Sequence, residues 1–306
     1  MIVMKFGGYQ KPASIHNRAA SYFGELLKER LGSALDFQLI GSILDELGRS
    51  SGDLPEMVAK GELSFCYMST VRFTTAVTEL RILELPFLVE DRVTAYRAFD
   101  GAYGELVKSR MRENSPFRLL GIWDNGFRHL SNCVRPISKP QDCRGLRIRT
   151  QTSELHGEAF RALGFEPLAI DIKEFTETIA SGRVQAQDNP LTNIYNFGVH
   201  KHHRHITLTG HFYGASAMIC DEARYRNWPR EIRTVVDGAA LEATAFQRRL
   251  AAAEDAAILA KFVPGELDIV RLTETGRAAF VAAVRPVLDR HRKDFDPALL
   301  ALLETQ

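Results

Sequence analysis

Apolar and polar positions along the chain change period repeatedly, and the changes read as short strands alternating with amphipathic helices. The run IVMKF (2–6) is largely apolar and followed by two glycines, which predicts a strand. From about Ser14 the spacing becomes helical. Ala19, Phe23, Leu26, Leu27 and Leu31 share one face, and Gly32 stops the helix. ALDFQLI predicts a second strand, SGDLPEMVAKG a turn with a short helix, and LSFCYMS a third strand. The N-terminal part therefore reads β-α-β-α-β, which implies parallel strands and right-handed crossovers.

After LELPFLV, two short helical stretches fall within 91–113 and FRLLGIWDN predicts a strand. A second α/β series starts there: strand GLRIRT, helix SELHGEAFRALG, strand EPLAI, then helix IKEFTETIASG. Asp171 and Glu174 have the spacing of a capping box for that last helix, and Gly182 ends it. The segment HITLTGHFYGASAMIC (205–220) is too long and too β-branched for one simple strand; a strand or strand pair running between two domains accounts for it. A helical stretch from about Pro229 to Lys261 is long enough to pack across both domains, and DIVRL and a helix from Thr273 complete the chain. No repeat or low-complexity linker separates the two series. The fold class is α/β, with intertwined lobes expected at 1–124 plus 211–250 and at 125–210 plus 251–306.

Composition removes several alternatives. The 306 residues carry 39 basic and 38 acidic side chains, a net charge of +1 that exerts no long-range pull on nucleic acid or an anionic membrane. No apolar run approaches the roughly 18 residues that would make the protein membrane-embedded. MIVMKFGGYQ lacks the charged start, long apolar stretch and cleavage site of a secretory signal, so the protein is cytoplasmic or a signal has been removed. Cys66, Cys133, Cys143 and Cys220 form no C-x-x-C pair. Cys66 and Cys220 read as buried thiols; Cys133 and Cys143 flank a proline-containing segment and are either free or bridged.

The chemistry is defined first by what is missing. No G-x-S-x-G elbow, phosphate loop or H-E-x-x-H pair occurs, and Gly7-Gly8 lacks the third glycine of a dinucleotide site. No cofactor and no catalytic activity are expected. His200, His202, His203 and His205 in HKHHRH read either as a metal site or as a solvated turn before a strand, and the turn fits better because carboxylates and cysteines are distant. The arginines are more informative. Strand alternation in GLRIRT sets Arg147 and Arg149 on one face, and Arg149 falls at the strand's carboxyl end, where parallel α/β sheets bind ligands. Its guanidinium fork matches a carboxylate; the alternative is a surface arginine paired with a helix acid. Arg128 follows Gly126 and is a second guanidinium able to share the anion, while Asn189 before Pro190 is either a turn residue or a polar ligand contact.

Taken together, NGFRHLSNCVRPISKPQDCRGLRIRT and ALGFEPLAIDIKEFTETIASGRVQAQDNP resemble the substrate-binding proteins of tripartite ATP-independent periplasmic (TRAP) transporters, the DctP-like family. LELPFLVED, HITLTGH and the long helix after NWP extend the likeness to about residue 290. The resemblance implies a two-lobed periplasmic-binding-protein-like fold with a ligand cleft between the lobes. It also implies a periplasmic location, monomeric action and the transporter's membrane subunits as partners. Carried over by position, Arg149 is the main carboxylate ligand, Arg128 a second cationic contact and Asn189 a polar contact. Gln185 and Ala186 stand where that family commonly has Asp-Gly, and Asp188 stands where Glu is common.

Specificity is expected from the other lobe, with Tyr9, His16, Ser69, Thr70, Arg72, Asp124 and Tyr213 as candidates. Trp123 reads as core before it reads as a stacking platform. A dicarboxylate would need another cation, for which Arg72, Lys11 and His16 are the nearby choices, so a hydroxy- or sugar-acid monocarboxylate ranks ahead of an aromatic acid or a dicarboxylate. A ligand-sensing module of a signalling system is the alternative use of such a fold.

Overall fold

The structure is a computed structural model that describes residues 1–263 and 265–304. β1 (Ile2–Gly7) leads into α1 (Ile15–Leu31), which begins where the Ser14 hydroxyl accepts the Asn17 N–H and ends at Gly32 with a φ of 56°. β2 (Leu35–Ile40) returns in parallel beside β1, pairing Ile2 with Leu35 through Gly7 with Ile40. Gly24 lets α1 press onto this pair: a Cβ there would lie 2.1 Å from the Phe37 ring. The short α2 (Ile43–Leu47) and α3 (Leu54–Lys60) precede β3 (Phe65–Ser69), which joins β1 in parallel.

α4 (Arg92–Asp100) and α5 (Ala102–Asn114) lead to the 16-residue β4 (Phe117–Asn132). The second series is β5 (Arg147–Thr150), α6 (Glu154–Ala162), β6 (Glu166–Ala169), α7 (Ile172–Ala180), β7 (Ala186–Pro190) and α8 (Leu191–Asn196). β5 lies in parallel between β6 and β7, and β7 is antiparallel to the end of β4. The β-rich segment is one 17-residue strand, β8 (His205–Asp221), whose last residues pair antiparallel with β3. After α9 (Glu222–Asn227) comes the 30-residue α10 (Arg230–Leu259), then β9 (Asp268–Arg271) parallel to the start of β8, α11 (Glu274–His291) and α12 (Pro297–Ala301).

Two compact units result, Met1–Leu80 with Phe99–Asn125 and Ala215–Ala253, and Arg81–Ala98 with Gly126–Gly214 and Glu254–Gln306. Segment 81–98, which the sequence division placed in lobe I, belongs to the second unit. Its attachments are long-range and leave no trace in local periodicity. Phe87 N–H donates to the His211 carbonyl, Arg92 pairs with Asp255 at 2.9 Å, and Arg277 pairs with Glu90 while lying over the Phe87 ring.

The first unit's core is aromatic. Phe6, Phe23, Phe65, Tyr67 and Trp123 are buried; Phe6 stacks on Trp123 at 6.2 Å and Phe23 meets Phe65 edge-on at 5.0 Å. The Trp123 indole N–H donates to the Thr244 hydroxyl of α10, so its polar edge is satisfied and Trp123 is a core residue. The second unit's core gathers Ile170, Phe175, Ile179, Val184, Leu191 and Ile206. α7 is capped by the Asp171 carboxylate, which accepts the Lys173 N–H, while Glu174 pairs with Arg183 at 3.4 Å. All four cysteines are free, with Cys133 exposed and Cys143 buried. No described helix is long and apolar enough to cross a membrane.

Candidate functional site

In the second unit, β5 delivers Arg149 and Thr150 to the carboxyl end of three neighbouring parallel strands. Alternation alone would give Arg147 and Arg149 like surroundings, yet Arg147 is exposed beside Gln185 and Arg149 is 3% exposed. Its Nε–H donates to the Ile170 carbonyl at 2.9 Å, and the guanidinium lies 4.8 Å over the Phe175 ring. A carbonyl on one edge and an aromatic face below fix the plane of the fork, which lowers the ordering cost of bidentate pairing with a carboxylate.

Arg128, expected as a second cationic contact, is 2% exposed and paired within the unit. Its Nε–H donates to the Asp188 carboxylate at 2.5 Å and Nη2 donates to the Asp188 carbonyl at 2.6 Å. The Gln151 amide oxygen, turned to face it, accepts from Nη1. His211 Nε2 lies 3.5 Å from the same carboxylate. Burial would raise the Asp188 carboxyl, but the Arg128 charge and His211 outweigh it and hold the group well below the usual carboxylate range. Arg128 is thus half of an internal ion pair. Its partner is 60 positions away and joined through the β4–β7 ladder, so sequence spacing could not announce it.

Asn189 is 3% exposed on β7 and belongs to a chain of amides and hydroxyls. It donates to Gln187 at 2.6 Å and accepts from Asn193; Gln187 donates to Ser131, which meets His203 Nδ1 at 2.9 Å. Two groups that sequence reasoning missed, Glu84 and His156, stand in the same unit. Glu84 accepts from the Ser153 hydroxyl and lies 3.7 Å from His156 Nε2, and burial lifts its carboxyl to about 7. His156 stacks on Phe212 at 4.1 Å, and burial lowers it to about 3. No motif spacing links them; they meet through tertiary packing. Tyr213, expected in the other lobe, belongs to this unit and packs edge-on against Phe127.

The remaining candidates lie in the first unit. The Tyr67 hydroxyl accepts the backbone N–H groups of Tyr9 and Gln10 and donates to Asn17, whose amide donates to the carbonyls of Gln10, Lys11 and Gly41. These bonds pin the turn between β1 and α1. The Tyr9 ring lies 5.3 Å from Tyr67. His16, the second residue of α1, is fully buried 4.9 Å from the Tyr67 ring, and burial lowers its pKa to about 3. Ser69 ends β3, the Thr70 hydroxyl donates to the Ala215 carbonyl, and Asp124 is buried with its backbone N–H and carbonyl both bonded to Gln247. Of the cations considered for a second carboxylate, Lys11 pairs with Asp45, His16 is neutral, and Arg72 is exposed beside Gly52.

The histidine segment is dispersed. His200 stacks on Tyr195, His203 faces Ser131, and His205 faces Asp268 at 2.9 Å. Among the described residues no group of three or more His, Cys, Asp or Glu side chains could hold a metal ion.

Comparison with known proteins gives this arrangement a setting. The y4mM protein of Sinorhizobium fredii is 30% identical over 92% of the chain, which spans about half (51%) of that protein's length. A TRAP periplasmic solute-binding protein from Sulfurospirillum deleyianum, solved with bound succinate, superposes with a TM-score of 0.91 at 26% identity, covering 98% of this chain and 97% of that one. One from Polaromonas, bound to D-erythronate, superposes with a TM-score of 0.91 at 25% identity over 99% and 98% of the two chains. The model of the DctP family, bacterial extracellular solute-binding protein family 7, matches residues 6–294. With that match running through both units and every segment that carries the buried arginines, the chain belongs to the DctP family of bacterial extracellular solute-binding proteins.

Proposed function

We propose that the protein is the periplasmic solute receptor of a TRAP transporter. In this reading it binds a small organic acid as a monomer and delivers it to the transporter's membrane subunits. It is a binding protein, not an enzyme, as its family is. The observation that carries the reading is Arg149: a guanidinium held at a parallel-strand carboxyl end by the Ile170 carbonyl and the Phe175 ring. Burying a carboxylate is costly unless it is paired and hydrogen-bonded, and such a fork supplies both. The succinate and D-erythronate held by the two solved relatives support a small acid as the ligand class. In the same reading Arg128, ion-paired with Asp188, is a second cationic contact and Asn189 a polar contact. A hydroxy- or sugar-acid monocarboxylate is favoured.

The test is a thermal-shift screen of organic acids followed by titration calorimetry on variants. Arg149→Ala should weaken the best acid by about 30-fold or more, corresponding to about 2 kcal/mol or more for a buried charge pair. Arg149→Lys should recover part of this, because it restores charge without the planar fork. Circular dichroism should show both variants folded. Near-native affinity in Arg149→Ala would sink the assignment.

A further inference from the structure

Within the first unit alone, a cavity of about 570 Å³ is lined by five arginines and two acids. Four elements supply them. α10 presents Arg230, Arg233 and Asp237 at intervals of three and four, so they share one face of its first turns. Arg112 comes from the end of α5, Arg118 from the start of β4, and Glu222 and Arg226 from α9. The Glu222 N–H donates to the Pro116 carbonyl, which ties α9 to the turn before β4.

Both acids are already engaged. Glu222 accepts from Arg118 at 3.0 Å and from Arg226 at 2.6 Å. Burial would raise its carboxyl, but these two partners outweigh it and hold the group below the usual range. Asp237 accepts from the Tyr225 hydroxyl at 2.5 Å, and Arg118 lies 3.8 Å over the Tyr225 ring. These contacts fix the wall and leave three guanidiniums over. Among the described residues Arg112, Arg230 and Arg233 hold no ion pair, and Arg233 Nε is buried with no hydrogen-bond partner. The 30-residue α10 starts directly after Pro229, which has no side-chain acceptor, so its first-turn amides add a positive helix end beside the cavity. Glu231 in that turn does not line the cavity.

We infer that this cavity is a second binding site, for a compact anion that carries two adjacent phosphoryl groups. A carboxylate brings one charge, whereas a terminal phosphoryl group brings about 1.5 to 2 at pH 7 together with three acceptor oxygens. Two such groups match three guanidiniums that converge from separate elements, and each fork can take two oxygens. Inorganic pyrophosphate and a membrane dense in phosphomonoester headgroups share this chemistry. The chain's net charge of +1 gives neither a general pull, so the attraction is local to the cavity. The site lies wholly within the first unit and stands independently of the acid assigned to Arg149.

The probes are pyrophosphate, orthophosphate and phosphatidic acid vesicles, each used with the intact chain at fixed ionic strength, because salt screens exposed charges. In titration calorimetry pyrophosphate should bind about tenfold tighter than orthophosphate, or better. Arg230→Ala and Arg233→Ala should each weaken pyrophosphate by about tenfold or more, and Arg149→Ala should leave it within about twofold. Sedimentation with vesicles of phosphatidic acid in phosphatidylcholine, against phosphatidylcholine alone, separates the two sources. Capture that pyrophosphate competes away and Arg230→Ala abolishes identifies a headgroup; pyrophosphate binding without capture identifies the free anion. Absence of both would overturn the site. Pyrophosphate binding that survives both cavity variants, or is lost in Arg149→Ala, would also overturn it, because the anion would then sit elsewhere. Hexaglutamate binding more tightly than pyrophosphate would replace it with a seat for an acidic protein segment. Arg230 is exposed and holds no ion pair, so its removal strands no buried charge, and the comparison of probes on the unmodified chain needs no variant.

Discussion

At the scale of single residues, the buried charges decide most. Arg128 and Asp188 are 2% and 0% exposed, so removing one leaves the other without compensation. Arg128→Met should destabilise the fold by about 3–5 kcal/mol, and adding Asp188→Leu should restore most of the loss. Urea unfolding of the single and double variants checks this; additive losses would contradict it. Asp188 titrates far below an ordinary carboxyl, so its contribution is complete above about pH 4 and is lost as pH falls below that. Glu84 acts in the opposite sense. Its folded pKa of about 7 lies above the unfolded value, so the folded state binds the proton more tightly. That contribution is present below about pH 4.5 and disappears as pH rises through 7. Relative to Glu84→Gln, the native chain should lose about 3 kcal/mol of stability between pH 4.5 and 8. His16, His129 and His156, lowered to about 3 by burial, contribute a slope of the other sign below about pH 6.5, and comparison with Glu84→Gln cancels it.

At the scale of elements, local chemistry was the readable part. Ser14 and Gly32 bracket α1, Thr273 caps α11, and the alternation of short apolar runs with helical faces locates β1 to β3 and β5 to α7. Reading failed where pairing overrides local signals. Gly126, with a φ of 96°, looks like the end of FRLLGIWDN, yet β4 continues because residues 128–132 pair with β7. The position of Arg149 at a strand's carboxyl end was legible because a four-residue strand is local; the Arg128–Asp188 bond and the Glu84–His156 approach are not, since each joins segments about 60 or more positions apart. Close approach of elements also hides in composition. Alanine at Gly24 should gain about 1 kcal/mol of helix propensity. It would nonetheless strike Phe37, so Gly24→Ala should show a net loss of about 1–2 kcal/mol by thermal unfolding. Unchanged stability would mean that the ring gives way.

At the scale of the whole molecule, binding should appear as stability. An acid present at about 100 times its dissociation constant should raise the unfolding free energy by about 2.7 kcal/mol, and the shift should shrink in Arg149→Ala. Because a 30-fold loss of affinity leaves that acid at about 3 times its dissociation constant, the residual shift in Arg149→Ala should be about 0.9 kcal/mol or less; differential scanning calorimetry over a ligand series checks the logarithmic dependence. The path of the chain has a further consequence. It leaves the first unit after Leu80, returns at Phe99, leaves again after Asn125, returns at Ala215 and departs after Ala253. During synthesis, Phe6, Phe23 and Phe65 therefore emerge long before Ser216, Met218 and Trp228, which complete their surroundings. Most of the polypeptide must be made before either unit can close its core. For the same reason, neither half can be obtained by cutting the gene once.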